Sequence, residues 1–109
     1  MKLYVDLTGK RVRVSREPAE ERDEYGDPTS DHDGRQPMWT TQVYVQDESG
    51  GEVITVATTG QKPNVTVDAI VVPMTLEVLP WCQIINGQHR SGLAYRASAL
   101  KRQGAGTVA

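Results

Sequence analysis

From Lys2 to Ser15 apolar and polar residues alternate. Leu3, Val5 and Leu7 share one face, and Val12 and Val14 resume it after a break at Thr8-Gly9. A period of two marks a half-buried strand, and the glycine marks a bulge or sharp coil within it. Residues 16–38 lose the pattern. Pro18, Gly26, Pro28, Gly34 and Pro37, with little apolar content between them, predict a long loop. Trp39, Thr41, Val43 and Val45 then face one way, and Thr40, Gln42, Tyr44 and Gln46 the other. The polar turn Asp47-Glu48-Ser49-Gly50-Gly51 leads into a second run, Glu52 to Thr58, which predicts a hairpin over 39–58. Gly60 to Asn64 is another turn. Residues 65–79, rich in Val, Ile and Leu, predict one long strand or two short ones, with Pro73 at an edge or bulge. Pro80 to Arg90 reads as a loop holding Trp81 and the turn Asn86-Gly87. The last strand is expected from Gly92 to Lys101, and a tail over 104–109.

No stretch of ten or more residues carries a convincing helical period. About five strands, with a long connection after the first, predict an all-β chain. The architecture that suits this count and length is a five-stranded OB-like Greek-key barrel over residues 1–103, carrying a long acidic loop at 16–38. A small open β-sandwich is the rival. The composition agrees: the 109 residues include no Phe, so Val, Ile, Leu and two Trp must supply the interior, and β-branched side chains suit a pleated sheet. Trp39, sharing a face with Val43 and Val45, is expected to be a buried anchor.

Charge changes the picture more by its distribution than by its sum. The net charge is −2, yet residues 16–38 hold eight acids against three arginines, a net of −5, which leaves +3 for the rest. The chain reads as a mildly basic body with an acidic insert. No apolar run approaches the roughly 18 residues of a membrane span, and the N-terminus has no signal-peptide stretch, so no membrane is expected. The single cysteine, Cys82, excludes an internal disulfide and fits a reducing cytoplasm.

Candidate chemistry is sparse. Catalysis needs a nucleophile with a base, paired carboxylates or a metal. His32 and His89 lie far apart and fit no metal-ligand spacing. Asp31-His32-Asp33-Gly34, laid on a calcium loop, puts Thr40 where the chelating Glu belongs. Nothing basic adjoins Cys82 to activate it. The chain is therefore expected to bind rather than catalyse, with no cofactor and no metal.

A pattern of cations and aromatics on strand faces remains. Lys10, Arg11 and Arg13 lie near or on the first strand, the arginines opposite Val12 and Val14. Tyr44 and Arg96 point away from the apolar faces of their strands, Trp81 in the loop after Pro80 is expected either to pack at the barrel mouth or to stack on a base, and Arg90 and Lys101 bracket the last strand. Cations that track phosphates and aromatic platforms for bases are what single-strand binding requires. Alternating strands also place polar residues outside for no reason but solvation, so this pattern permits a groove without requiring one.

Two stretches carry a resemblance. One runs from Val14-Ser15-Arg16-Glu17-Pro18 through Asp33-Gly34-Arg35-Gln36-Pro37-Met38-Trp39 to Val43; the other joins Leu76-Glu77-Val78-Leu79-Pro80-Trp81 to Gly87-Gln88-His89-Arg90 and Leu93-Ala94-Tyr95-Arg96-Ala97. Over roughly residues 3–102 the chain resembles small replication, integration and excision activators of actinobacterial plasmids and integrative elements. It departs from them in having Asp33-Gly34-Arg35 at the loop's Thr-Gly position, Ser91-Gly92 between Arg90 and Leu93, and a tighter Tyr95-Arg96-Ala97 spacing. Strand order and lengths are also similar to filamentous-phage-type single-stranded DNA-binding proteins. The resemblance implies a single-stranded DNA-binding homodimer serving a plasmid, phage or mobile element, with a replication protein as a further partner. The alternative from a different class is a regulatory adaptor whose acidic loop recruits such a protein without touching DNA. A structural virion component has no positive feature in its favour.

Overall fold

A valine interior determines how this chain folds. In the computed structural model, which describes residues 2–21 and 36–103, Val12, Val14, Val43, Val56 and Val71 are almost completely buried, joined by Val65, Leu76, Ala97 and Leu100. Short β-branched side chains pack between pleated sheets without losing rotamer freedom, so a core of this kind selects strands. Every regular element described is a strand: β1 (Leu3–Tyr4), β2 (Arg11–Glu20), β3 (Met38–Asp47), β4 (Gly50–Thr59), β5 (Val71–Met74), β6 (Glu77–Ile85), β7 (Gln88–Arg96) and β8 (Ala99–Arg102).

Six of these form one sheet in the order β1-β6-β7-β4-β3-β2, and β5 pairs with β8 in a second, two-stranded sheet. All ladders are antiparallel except β4–β7, which is parallel and spans only Val56–Tyr95 and Ala57–Arg96. The large sheet curls so that β2, at its far edge, reaches the approach to β5. Arg13 bridges Ile70, the Val14 N–H donates to the Ala69 carbonyl at 2.9 Å, and the Asp68 N–H donates to the Val14 carbonyl at 2.7 Å. At the opposite edge β1 pairs with β6, and the Val5 N–H donates to the Leu76 carbonyl.

The all-β expectation matches this architecture, and the β3–β4 hairpin falls within a residue of the expected span. Three details differ. Eight strand segments in two sheets replace the five expected, because the first strand is interrupted at residues 5–10, the run over 65–79 divides at Thr75-Leu76, and the expected last strand breaks at Ala97-Ser98. There the chain leaves β7 and bonds instead to the Ala57 and Met74 carbonyls. Residues 16–20 are strand, not loop: two register shifts, between Val14 and Arg16 and between Arg16 and Ala19, accommodate Pro18. The largest difference lies at 80–90, expected to be a loop. It is a β-ribbon, β6 and β7, closed by a two-residue turn in which Asn86 (φ 52°) and Gly87 (φ 79°) both adopt the left-handed conformation that tight hairpins demand. Pro80 removes one ladder donor from this ribbon. It is tolerated because β1 leaves β6 after Val78, so the missing donor sits on an edge. Most of the acidic stretch, residues 22–35 with His32 and the Asp33-Gly34-Arg35 motif, and the tail 104–109 lie outside the described residues.

Candidate nucleic-acid interface

The strand register decides which side chains share a surface. On β2 the buried Val12 and Val14 alternate with the exposed Arg11 and Arg13. Cross-strand partners stand on the same face, so Arg13, Tyr44 and Val53 form one row across β2, β3 and β4 on the outer side of the sheet. The parallel pair carries the same face onto β7 through Ala57 and Arg96. From there it continues to β6 through the pairs Arg96–Glu77, Ala94–Leu79, Gly92–Trp81 and Arg90–Gln83. Arg11, Arg13, Tyr44, Trp81, Arg90 and Arg96 therefore all project from one outer face.

Two aromatic rings lie across glycines on this face. A Cβ added to Gly51 would come within 2.5 Å of the Tyr44 ring, and one added to Gly92 within 2.8 Å of the Trp81 ring. Each glycine removes the side chain that would otherwise hold the ring off the neighbouring strand, so the ring settles on bare backbone. The Arg13 guanidinium sits over the Tyr44 ring, 5.5 Å from its centroid, a cation–π contact. Trp81 keeps 42% of its surface exposed. Between the two rings β4 and β7 diverge beyond their short parallel pairing. The divergence leaves a groove of about 540 Å³ whose walls include Val53, Thr55, Leu93 and Ala94. Gly51 and Gly92 escaped the sequence reading; their signal was a glycine inside a strand pattern, which marks a close approach.

The cations are not equivalent. Arg11 and Arg90 are exposed. Arg13 stands 3.8 Å from Asp68, a long contact between two exposed side chains. Arg96 donates to Glu77 at 2.7 Å, and that carboxylate is buried, so the arginine neutralises an internal charge before it can serve an external one. Lys10 forms an ion pair with Asp47 at 2.7 Å, joining the start of β2 to the end of β3. The hydrogen bond from Lys10 holds the Asp47 carboxyl below its usual value, aided by the Ser49 N–H, and the same contact raises the lysine. The Thr8 N–H lowers Asp6 in the same way. Lys101 is exposed on β8, opposite Val72, in the smaller sheet rather than on the main face.

Trp39, the expected buried anchor, is half-buried. Its indole N–H donates to the Gly60 carbonyl at 2.9 Å, and Lys62 approaches its ring to 6.0 Å from the centroid. Among the described residues no helix is long and apolar enough to cross a membrane. In comparison with known proteins, no family model, no curated protein and no solved structure matches this chain.

Proposed function

We propose that the chain is a non-catalytic single-stranded DNA-binding protein that takes its ligand on the outer face of the six-stranded sheet. The observation that carries this reading is the pair of rings, Tyr44 and Trp81, laid across Gly51 and Gly92 on one face and accompanied there by Arg11, Arg13 and Arg90. Trp81, resting on backbone, offers its other side to a base, and Tyr44 does so once the Arg13 guanidinium over its ring turns to a phosphate; every base has a π-face, so such platforms bind without regard to sequence. Exposed guanidinium groups beside them suit a phosphate backbone.

The strand order supports an OB-like reading. If β1 and β2 are one N-terminal strand interrupted at residues 5–10, the six-stranded sheet holds five strands, in the order first, second, third, fifth, fourth and back to the first, with β5 and β8 outside it. The third and fifth are parallel. Folds of that type present this kind of surface to oligonucleotides. The resemblance to mobile-element replication activators adds the setting: a cytoplasmic protein, acting as a homodimer beside a replication protein, that covers DNA displaced during replication or transfer.

Fluorescence polarisation with labelled oligo-dT tests the proposal. Binding is expected at low ionic strength, with affinity falling on a log–log salt plot by about 0.7 per phosphate contact. No binding by a folded sample at low salt would refute it. Failure of that assay, with function lost on removal of the acidic stretch, would favour the adaptor instead.

A further inference from the structure

Where β4 and β7 diverge, each turns a free backbone edge toward the cleft between them. The β3–β4 hairpin closes on the pair Asp47–Gly50, and the β6–β7 hairpin on Ile85–Gln88. In an antiparallel ladder every second residue sends both its N–H and its C=O to the partner strand, and the residues between send theirs the other way. Counted from those closures, Gly51, Val53 and Thr55 on β4, and His89, Ser91 and Leu93 on β7, direct their backbone groups into the cleft. The Ala97 N–H, which donates to the Ala57 carbonyl at 2.9 Å, confirms this phase on β4. The two strands pair only at Val56–Tyr95 and Ala57–Arg96, so among the described residues those six make no backbone bond on the cleft side.

An exposed edge is a template for another strand, and sheet proteins blunt their edges with proline, bulges or short strands. The other edges of this molecule are blunted in that way. β2 carries Pro18 and two register shifts, β6 beyond Val78 carries Pro80, β5 carries Pro73, and β1 and β8 are short. The two edges at the cleft carry neither proline nor register shift. The cleft walls are apolar at Val53 and Leu93, which are 54% and 56% exposed, and both charged side chains that line it, Glu21 and Glu52, are acids.

We infer that this cleft takes an extended segment of another protein, apolar in its middle and basic at its ends, which adds as a strand to the β4 edge. The unpaired N–H and C=O groups of Gly51, Val53 and Thr55 supply the main-chain bonds, and Val53 and Leu93 receive the apolar side chains. The two carboxylates favour basic ends and oppose a phosphate backbone in the same place. β4 is the edge that receives the strand because β3 backs it along its whole length and Val56 anchors it in the core, whereas β7 beyond Tyr95 rests on β6 alone. An added strand lies in the plane of the sheet, so the inference stands whether or not the outer face binds nucleic acid.

A labelled peptide of alternating valine and threonine with a lysine at each end is the probe. It should bind the full chain at low salt with millimolar or tighter affinity. In the complex the amides of Gly51, Val53 and Thr55 should exchange more slowly, and those of His89, Ser91 and Leu93 should not change. Glutamate in place of the terminal lysines should weaken binding by about tenfold or more. N-methylation of one alternate set of peptide amides should abolish binding while methylation of the other set spares it, because an added strand pairs through every second residue. Val53→Pro removes one outward N–H and no bond to β3, so that variant should melt like the natural chain and fail to bind the peptide. No binding by the natural chain, binding indifferent to the end charges or to which set is methylated, protection on β7 in place of β4, or binding by a folded Val53→Pro chain would each overturn the inference. Protection of the Val53 amide by oligo-dT would also overturn it, by giving the cleft to nucleic acid.

Discussion

Tyr44 and Arg13 act together at the residue scale, one offering a ring and the other a charge stacked on it. On the proposed function, Tyr44→Ala should weaken oligo-dT binding by roughly 1–3 kcal/mol without changing the salt slope, because stacking releases no ions. Arg13→Ala should flatten that slope by about 0.7. A polarisation titration at several salt concentrations separates the two, and a flattened slope in the Tyr44 variant would refute the division of roles. Arg96 is a different case. Its removal leaves the buried Glu77 carboxylate unpaired. Arg96→Ala should therefore lower stability in denaturant melts, by up to roughly 3 kcal/mol, the low end for a broken buried pair since the arginine is half-exposed. Adding Glu77→Gln should recover much of that loss. Lost DNA binding in the single variant would then report folding, and only the double variant reports phosphate contact.

The Lys10–Asp47 pair makes a pH prediction. Asp47 and Asp6 are lowered in the folded chain from 3.8, so their stabilisation is present above that value and is lost as pH falls through the lower folded values. Lys10 is raised above 10.5, so its contribution is present below that value and is lost as pH rises through the higher folded value. Neither change falls near neutrality. In Lys10→Met the Asp47 carboxyl should titrate closer to 3.8 by NMR, still held somewhat below it by the Ser49 N–H. An unmoved midpoint would show that the pair is not formed in solution.

At the scale of elements, the two glycines under the aromatic rings differ in what surrounds them. A Cβ at Gly51 meets the Val45 carbonyl at 2.8 Å as well as Tyr44, and the backbone at Val45, paired with Val12 on one side and Glu52 on the other, cannot withdraw. The three atoms nearest to a Cβ at Gly92 all belong to the Trp81 ring, which stands on an exposed ribbon and can swing away. Gly51→Ala should therefore destabilise the fold by about 1–3 kcal/mol, in the range of an overpacked site. Gly92→Ala should leave the melting temperature nearly unchanged while shifting Trp81 fluorescence and weakening oligo-dT binding. Equal melting losses in the two variants would contradict this reading of the arm as lying outside the core.

For the whole molecule, the governing quantity is where charge of each sign sits. Residues 22–35 carry five acids and two arginines, a net of −3, which opposes a basic face elsewhere on the chain. Deleting them should leave oligo-dT affinity unchanged or raise it, most visibly at low salt, where screening is weakest. Weaker binding by the deletion variant would place the acidic stretch among the groups that hold the ligand, or with the adaptor reading.

How much of this was legible beforehand follows from the range over which each signal acts. Period-two alternation at Val12 and Val14 and along Trp39 to Val45 is local. It identified the buried faces of β2 and β3 and, with the missing helical period, the all-β class. The same alternation put Arg11, Arg13, Tyr44 and Arg96 on outer faces. The arm was misread because Pro80 and scattered polar residues obscure a ribbon whose strands have no core beneath them to demand alternation. The Asn86-Gly87 turn was recognised, but pairing across it was not inferred. Only the tertiary structure could show that Gly51 lies under Tyr44, that Glu77 claims Arg96 and that Asp47 claims Lys10. Each of those contacts depends on register between strands, a relation between distant parts of the chain to which local pattern is blind. The residue types and their facing are written in the local sequence; which cation remains free, and which ring has backbone beneath it, was decided by how the strands pair.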